Sequence, residues 1–203
     1  MKARERNDLL ISWVTLSLAF SLVISDSFLS LMGIAEAIPI AFLAVGTGFI
    51  FHEMAHRQMA RKYGFHAEYR AWNFGLVFAF LLALISGGRF IFAAPGATYI
   101  FAQNISLKQN GKISIAGPTV NIIIGFILFF ASLLAFDKFT FGLLFNAAWI
   151  NFWFAFFNLL PIHPLDGGKV MAWSKAAWAA GIVTAGIMAF FSADLLIAIA
   201  SLL

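Results

Sequence analysis

The sequence predicts an all-α polytopic membrane protein, with about five to six transmembrane helices and one membrane-associated β-hairpin or re-entrant element. Three observations carry this expectation. Of 203 residues, 62% are hydrophobic and only 11% charged, whereas a soluble globular domain carries about 25% charged residues. Mean hydropathy is +0.92. The apolar residues also fall in uncharged blocks that match a bilayer-crossing helix of about 17–25 residues.

Taken in order, the first block is residues 9–25, preceded by Lys2, Arg4 and Arg6. A charged start before an apolar run resembles a signal peptide. The small-residue triplet Ala35-Glu36-Ala37 lies far from that run, so a retained first span is expected. Residues 37–51 are short alone and reach spanning length only when continued to about Lys62. Residues 71–88 would make a sixth helix. After it, residues 90–99 contain Pro95 and Gly96 among aromatic and small residues, which reads as a hairpin or re-entrant element rather than helix. Residues 115–136, 141–162 and 176–193 supply three further spans. Between them, Lys108-Gln109-Asn110-Gly111-Lys112 carries an Asn-Gly pair, the signal for a tight β-hairpin turn on the cytoplasmic face.

Lysine and arginine set the expected orientation. With the N-terminus in the cytoplasm, eleven of the thirteen basic residues fall inside and only Arg89 and Lys138 outside, as the positive-inside rule favours. Asp26, Glu36, Asp137 and Asp194 then lie on the outer face. Residues 71–102 must leave the cytoplasmic side and return, by dipping or by crossing twice. The net charge of +4 implies no nucleic-acid partner, because the basic residues are scattered between apolar blocks rather than gathered on one face. Membrane lipid is the expected surroundings. The chain has no cysteine, so any zinc must be held by histidine and carboxylate.

One polar pattern stands out inside the second span, His52-Glu53-Met54-Ala55-His56. Histidines four apart on a helix share a face and can hold one metal ion, with the intervening glutamate close enough to act as general base. An ionised glutamate within a membrane costs about 2.5–3.5 kcal/mol on insertion scales, and the motif gives it a reason to be there. Catalytic zinc sites use three protein ligands. For the third the sequence offers His66, just past the helix end, and His163 or Asp166 in Asn158-Leu159-Leu160-Pro161-Ile162-His163-Pro164-Leu165-Asp166-Gly167-Gly168. Asp166 is favoured, because the spans carrying it and the histidines run in the same direction and bring all three to one depth. His163 stays open as a competitor for the metal.

These motifs, with Gly117-Pro118-Thr119-Val120-Asn121 between them, resemble the site-2 protease family of intramembrane zinc metalloproteases, in a compact form without a PDZ domain. The resemblance spans about residues 37–169. It implies that one zinc is held by His52, His56 and Asp166, that Glu53 is the catalytic base, and that Asn158 binds the substrate backbone or the oxyanion. Asn121 is implied at the substrate or in support of the core. Both asparagines also suit amides that bond helix to helix. The chain reads as one integral domain, 1–203, with 1–36 a peripheral first span, 37–170 the catalytic core and 171–203 a C-terminal span. The implied activity is hydrolysis of a peptide bond in or near a transmembrane segment of another membrane protein. The implied β element receives an unwound substrate. Two other readings remain: an inactive relative that binds membrane proteins, and a metal transporter, which would favour more polar ligands along the outer helix halves than this sequence has.

Overall fold

The computed structural model describes residues 1–25, 30–91 and 95–200. Asp26 and residues 92–94 of the expected re-entrant element lie outside them. Helices α1 (Ala3–Ile24), α2 (Leu31–Val45) and α3 (Phe51–Lys62) are followed by strand β1 (His66–Ala71), helix α4 (Asn73–Ile85) and strand β2 (Gly96–Phe101). Helices α5 (Leu107–Ser132), α6 (Lys138–Asn158), α7 (Asp166–Trp173) and α8 (Lys175–Ala200) complete the chain. Among the described residues, five helical stretches are long and apolar enough to cross a membrane: α1, the continuous Leu31–Lys62 rod, α5, α6 and α8. With 13 residues, α4 is only about 20 Å long at 1.5 Å per residue. That is well short of the ~30 Å hydrocarbon core. It therefore makes no sixth span.

The rod containing α2 and α3 is joined through one π-helical segment, Gly46–Ile50, immediately before the histidines. A π turn inserts a residue into the i→i−4 ladder and displaces a carbonyl from it. Here the Gly48 carbonyl accepts a hydrogen bond from Asn121 Nδ2 at 2.8 Å. Thr47 bonds back to the Leu43 carbonyl at 2.8 Å.

β1 and β2 form a two-stranded antiparallel sheet, with Tyr69 opposite Thr98 and Ala71 opposite Gly96. The expected β element thus exists, with β2 beginning inside the stretch read as a hairpin or re-entrant element, but its partner β1 comes from the segment around His66 just past the end of α3, and α4 lies between the two. The outer edge of β1 is covered by α1. Tyr69 N donates to Glu5 Oε1 at 3.2 Å, and Ala71 N to Asp8 Oδ2 at 3.4 Å. Glu5 is 1% exposed and also pairs with Arg57 Nε at 2.7 Å, so α1 is tied electrostatically to both β1 and α3. On the sheet's other face Lys2, His66 and Arg70 surround Glu68. The hydrogen bonds from Lys2 and then His66 hold its carboxyl down at about 2.

The expected hairpin at residues 108–112 is not formed. Ser106 accepts from Gln109 N and the Gln109 side chain accepts from Ser106 N, a capping box that starts α5 in that segment. Two satisfied N-terminal N–H groups outweigh the turn preference of Asn-Gly. Gly111 is small for a packing reason, since a Cβ there would collide with the Trp173 side chain of α7.

Apolar packing fixes the elements around the sheet. Leu9, Leu16, Val45, Phe49, Tyr69 and Leu76 join α1, α2, the π segment, β1 and α4, while Phe129, Ala148, Phe152 and Met188 join α5, α6 and α8. Ile123, Ile127 and Phe130 of α5 and Val183, Ile187 and Phe191 of α8 are exposed, as residues facing hydrocarbon are.

Candidate metal centre

The candidate centre lies where α3, α5 and α7 meet. Its histidines sit one turn apart on α3, both buried. Pro118 cannot donate to the carbonyl four residues back, which loosens this turn of α5. Gly117 leaves space in the same turn. A Cβ there would stand 2.6 Å from Nε2 of both His52 and His56, so no other residue type lets α5 approach this closely. The third group arrives from α6. Pro161 and Pro164 end the helical path, and Gly167 passes so close to the Leu159 carbonyl that a Cβ would overlap it. Asp166 is thereby presented as the first residue of α7, where the helix dipole favours a carboxylate.

Both rings are fixed through Nδ1. His52 Nδ1 lies 2.6 Å from Asn121 Oδ1, and His56 Nδ1 lies 2.8 Å from the Ile113 carbonyl. The bond from Asn121 Nδ2 to the Gly48 carbonyl fixes the amide orientation, so both Nδ1 atoms face acceptors and carry the proton. Each Nε2 then presents a lone pair. The two Nε2 atoms are 2.9 Å apart and lie 3.3 and 3.0 Å from Asp166 Oδ2. Three lone-pair donors this close repel unless a cation lies among them. Ligands at about 2.0–2.2 Å from a tetrahedral zinc stand roughly 3.3 Å from one another. The cluster has the composition, burial and spacing that zinc requires, and its ligand atoms all lie within 4.8 Å of one another.

Hydrogen bonds behind the ligands continue into the bundle. Asn121 is fully buried and donates also to Asn151 Oδ1 at 3.3 Å, while Asn151 donates to Thr47 at 2.9 Å. This chain of amides connects His52 to α5, α6 and the π segment. Such outer-shell bonds fix the tautomer and orientation of a ligating histidine. Lys169 Nζ stands 3.6 Å from the other oxygen of Asp166.

Glu53, beside His52, is buried at 9% exposure and accepts from Thr98 Oγ of β2 at 2.7 Å. Asn158 ends α6 with its Nδ2 donating to the Phe154 carbonyl at 2.9 Å. Asn121, expected at the substrate or in support of the core, stands behind His52. His66 opens β1 and bonds Glu68 at 2.9 Å, with half its side chain exposed. His163 is exposed in the turn before α7. Neither joins the cluster of His52, His56 and Asp166. Three contributors carried no recognisable sequence signal: Thr98, Asn151 and the Ile113 carbonyl.

Fold and site together define a membrane-embedded metalloprotease. The chain belongs to peptidase family M50, whose model matches residues 40–142 and 134–185, in agreement with its resemblance to site-2 proteases. A Methanocaldococcus jannaschii protein that carries the provisional name zinc metalloprotease is 41% identical over 190 residues, which cover 92% of this chain and 94% of that one. A second protein of that organism, named zinc metalloprotease, is 29% identical over 145 residues, 70% of this chain and 36% of its own length. A Bacillus subtilis protein provisionally named zinc metalloprotease is 29% identical over 150 residues, 66% of this chain and 68% of its own. No solved structure matches the chain significantly.

Proposed function

We propose that this chain is a zinc-dependent intramembrane endopeptidase that hydrolyses a peptide bond in or near a transmembrane segment of a membrane-protein substrate, as in regulated intramembrane proteolysis. The observation that carries this reading is the convergence of His52, His56 and Asp166 beside Glu53 on a span-length apolar helix. Zinc held by the three ligands would polarise the scissile carbonyl and the attacking water. Glu53 takes the proton from that water and delivers it to the leaving amine, the task of a general base that turns general acid. Asn121 and the Ile113 carbonyl keep both imidazoles in the tautomer that ligates through Nε2. Asn158, at the end of α6, is the proposed contact to the substrate backbone or oxyanion.

A helical substrate must give up its internal hydrogen bonds before cleavage, and those bonds need replacement away from water. The sheet offers a means. β1 is closed by α1, whereas β2 has no strand on its other side among the described residues, and an extended peptide can add there as a further strand. In this scheme residues 37–170 are the catalytic core, the N-terminus is cytoplasmic, and the site opens near the cytoplasmic side of the cell membrane.

The reading is tested with purified protein in detergent, a model membrane-spanning substrate and mass spectrometric mapping of the cut. The expected cut falls within or at the margin of the substrate's apolar segment. Cleavage confined to distant soluble flanks would overturn the intramembrane assignment.

A further inference from the structure

We infer that Thr98 of β2 is a positioning residue that links the substrate-binding edge of the sheet to the catalytic glutamate. The inference rests on the proposed roles of Glu53 and of the β2 edge. Its geometry follows from the register. Because Tyr69 N and Ala71 N point outward to Glu5 and Asp8 of α1, the residues that exchange hydrogen bonds across the sheet are the alternate ones, Glu68 with Tyr99 and Arg70 with Ala97. The bond from Trp72 N to the Pro95 carbonyl at 2.8 Å continues the same alternation. Thr98, opposite Tyr69, therefore turns its own N–H and C=O away from β1, toward the edge of β2 that carries no strand among the described residues.

Its side chain points in another direction. Residues opposite each other in an antiparallel pair share a face, so the Thr98 hydroxyl lies on the face of Tyr69. There it donates to Glu53 Oε2 at 2.7 Å and lies 3.2 Å from the Glu53 backbone carbonyl. One residue thus offers main-chain groups to an added strand and a hydroxyl to the base. A carboxylate has about four lone-pair sites. Thr98 occupies one, which restrains the side chain and leaves capacity for the proton of the attacking water. A bound strand that fixes the Thr98 backbone fixes the base relative to its own scissile bond. Threonine suits this task twice, since its β-branch favours the strand and its hydroxyl supplies the donor.

Thr98→Val keeps the shape and strand preference and removes the donor; Thr98→Ser keeps the donor. For Thr98→Val, kcat on a membrane-spanning substrate is expected to fall about 10- to 100-fold, the scale of a misplaced catalytic group, with KM within about twofold because the main-chain edge is retained. Zinc content and thermal unfolding are expected to match the unmodified protein, and Thr98→Ser is expected to restore kcat to within a few-fold. Equal loss in both variants, or a Thr98→Val defect confined to KM or zinc content, would overturn the inference. Glu53→Gln measured alongside separates the two levels. If Glu53→Gln is inactive and Thr98→Val turns over at full rate, the Thr98 assignment alone fails. If Glu53→Gln itself cleaves at full rate, the underlying assignment of the base fails.

Discussion

Glu53→Gln is expected to lower kcat by about 10²- to 10⁴-fold, the range that general acid–base catalysis contributes, while zinc stays at one per chain. The separation follows from the architecture. His52, His56 and Asp166 are the three residues proposed to hold the metal, their ligand atoms within 4.8 Å of one another, and Glu53 faces Thr98 instead. Glutamine has nearly the same shape and still accepts from the threonine hydroxyl through its carbonyl oxygen, but it cannot take a proton at neutral pH. Cleavage rate and zinc content measured on one preparation check this. A variant that cleaves at the unmodified rate would contradict the assigned mechanism, and one that has lost its zinc would make Glu53 part of the metal site.

Asp166→Asn is expected to act in the opposite order, with metal lost first and activity as a consequence. The carboxylate is the one anionic member of the proposed ligand set, at 3.0–3.3 Å from the two imidazole nitrogens. A neutral amide oxygen gives up that charge. Removing partners that only support a ligand costs 10- to 100-fold in metal affinity or activity, so replacing a ligand is expected to exceed about 100-fold. Zinc retained after dialysis against a competing chelator, compared with the unmodified protein, reads this directly. Full stoichiometric zinc in Asp166→Asn would shift the third-ligand role to His163 or His66. Their positions oppose that, since His163 is exposed and His66 is engaged with Glu68 on β1.

What the sequence made legible follows from which interactions are local or periodic. The histidines are four apart on one helix, so their convergence needs no tertiary knowledge. Asp166 lies 110 positions beyond His56, and it was reachable because membrane spans limit where chain segments can meet in depth. The spans themselves were legible for the same reason, since the bilayer sets a length that hydropathy records.

Other features depend on contacts that sequence patterns do not encode. β1 reads His-Ala-Glu-Tyr-Arg-Ala, a short polar-looking segment whose charged members are satisfied by Lys2 and by one another. Its strand character comes from pairing with β2 and capping by α1. Glu5 sits among the basic residues that precede the first apolar block, and nothing nearby shows that it would be buried against Arg57 of the helix bearing His52 and His56. Asn110-Gly111 is a genuine turn signal that a capping box two residues upstream and the approach of Trp173 override. Thr98 had the least to recommend it, because its partner Glu53 is 45 residues away.

Whether zinc drives peptide-bond hydrolysis by this chain is decided by metal removal and return. The purified protein is stripped with a zinc chelator, assayed on a membrane-spanning substrate, and assayed again after stoichiometric zinc is restored. Cleavage is expected to disappear with the metal and to return when one zinc per chain is bound. Undiminished cleavage by verified metal-free protein would contradict this expectation.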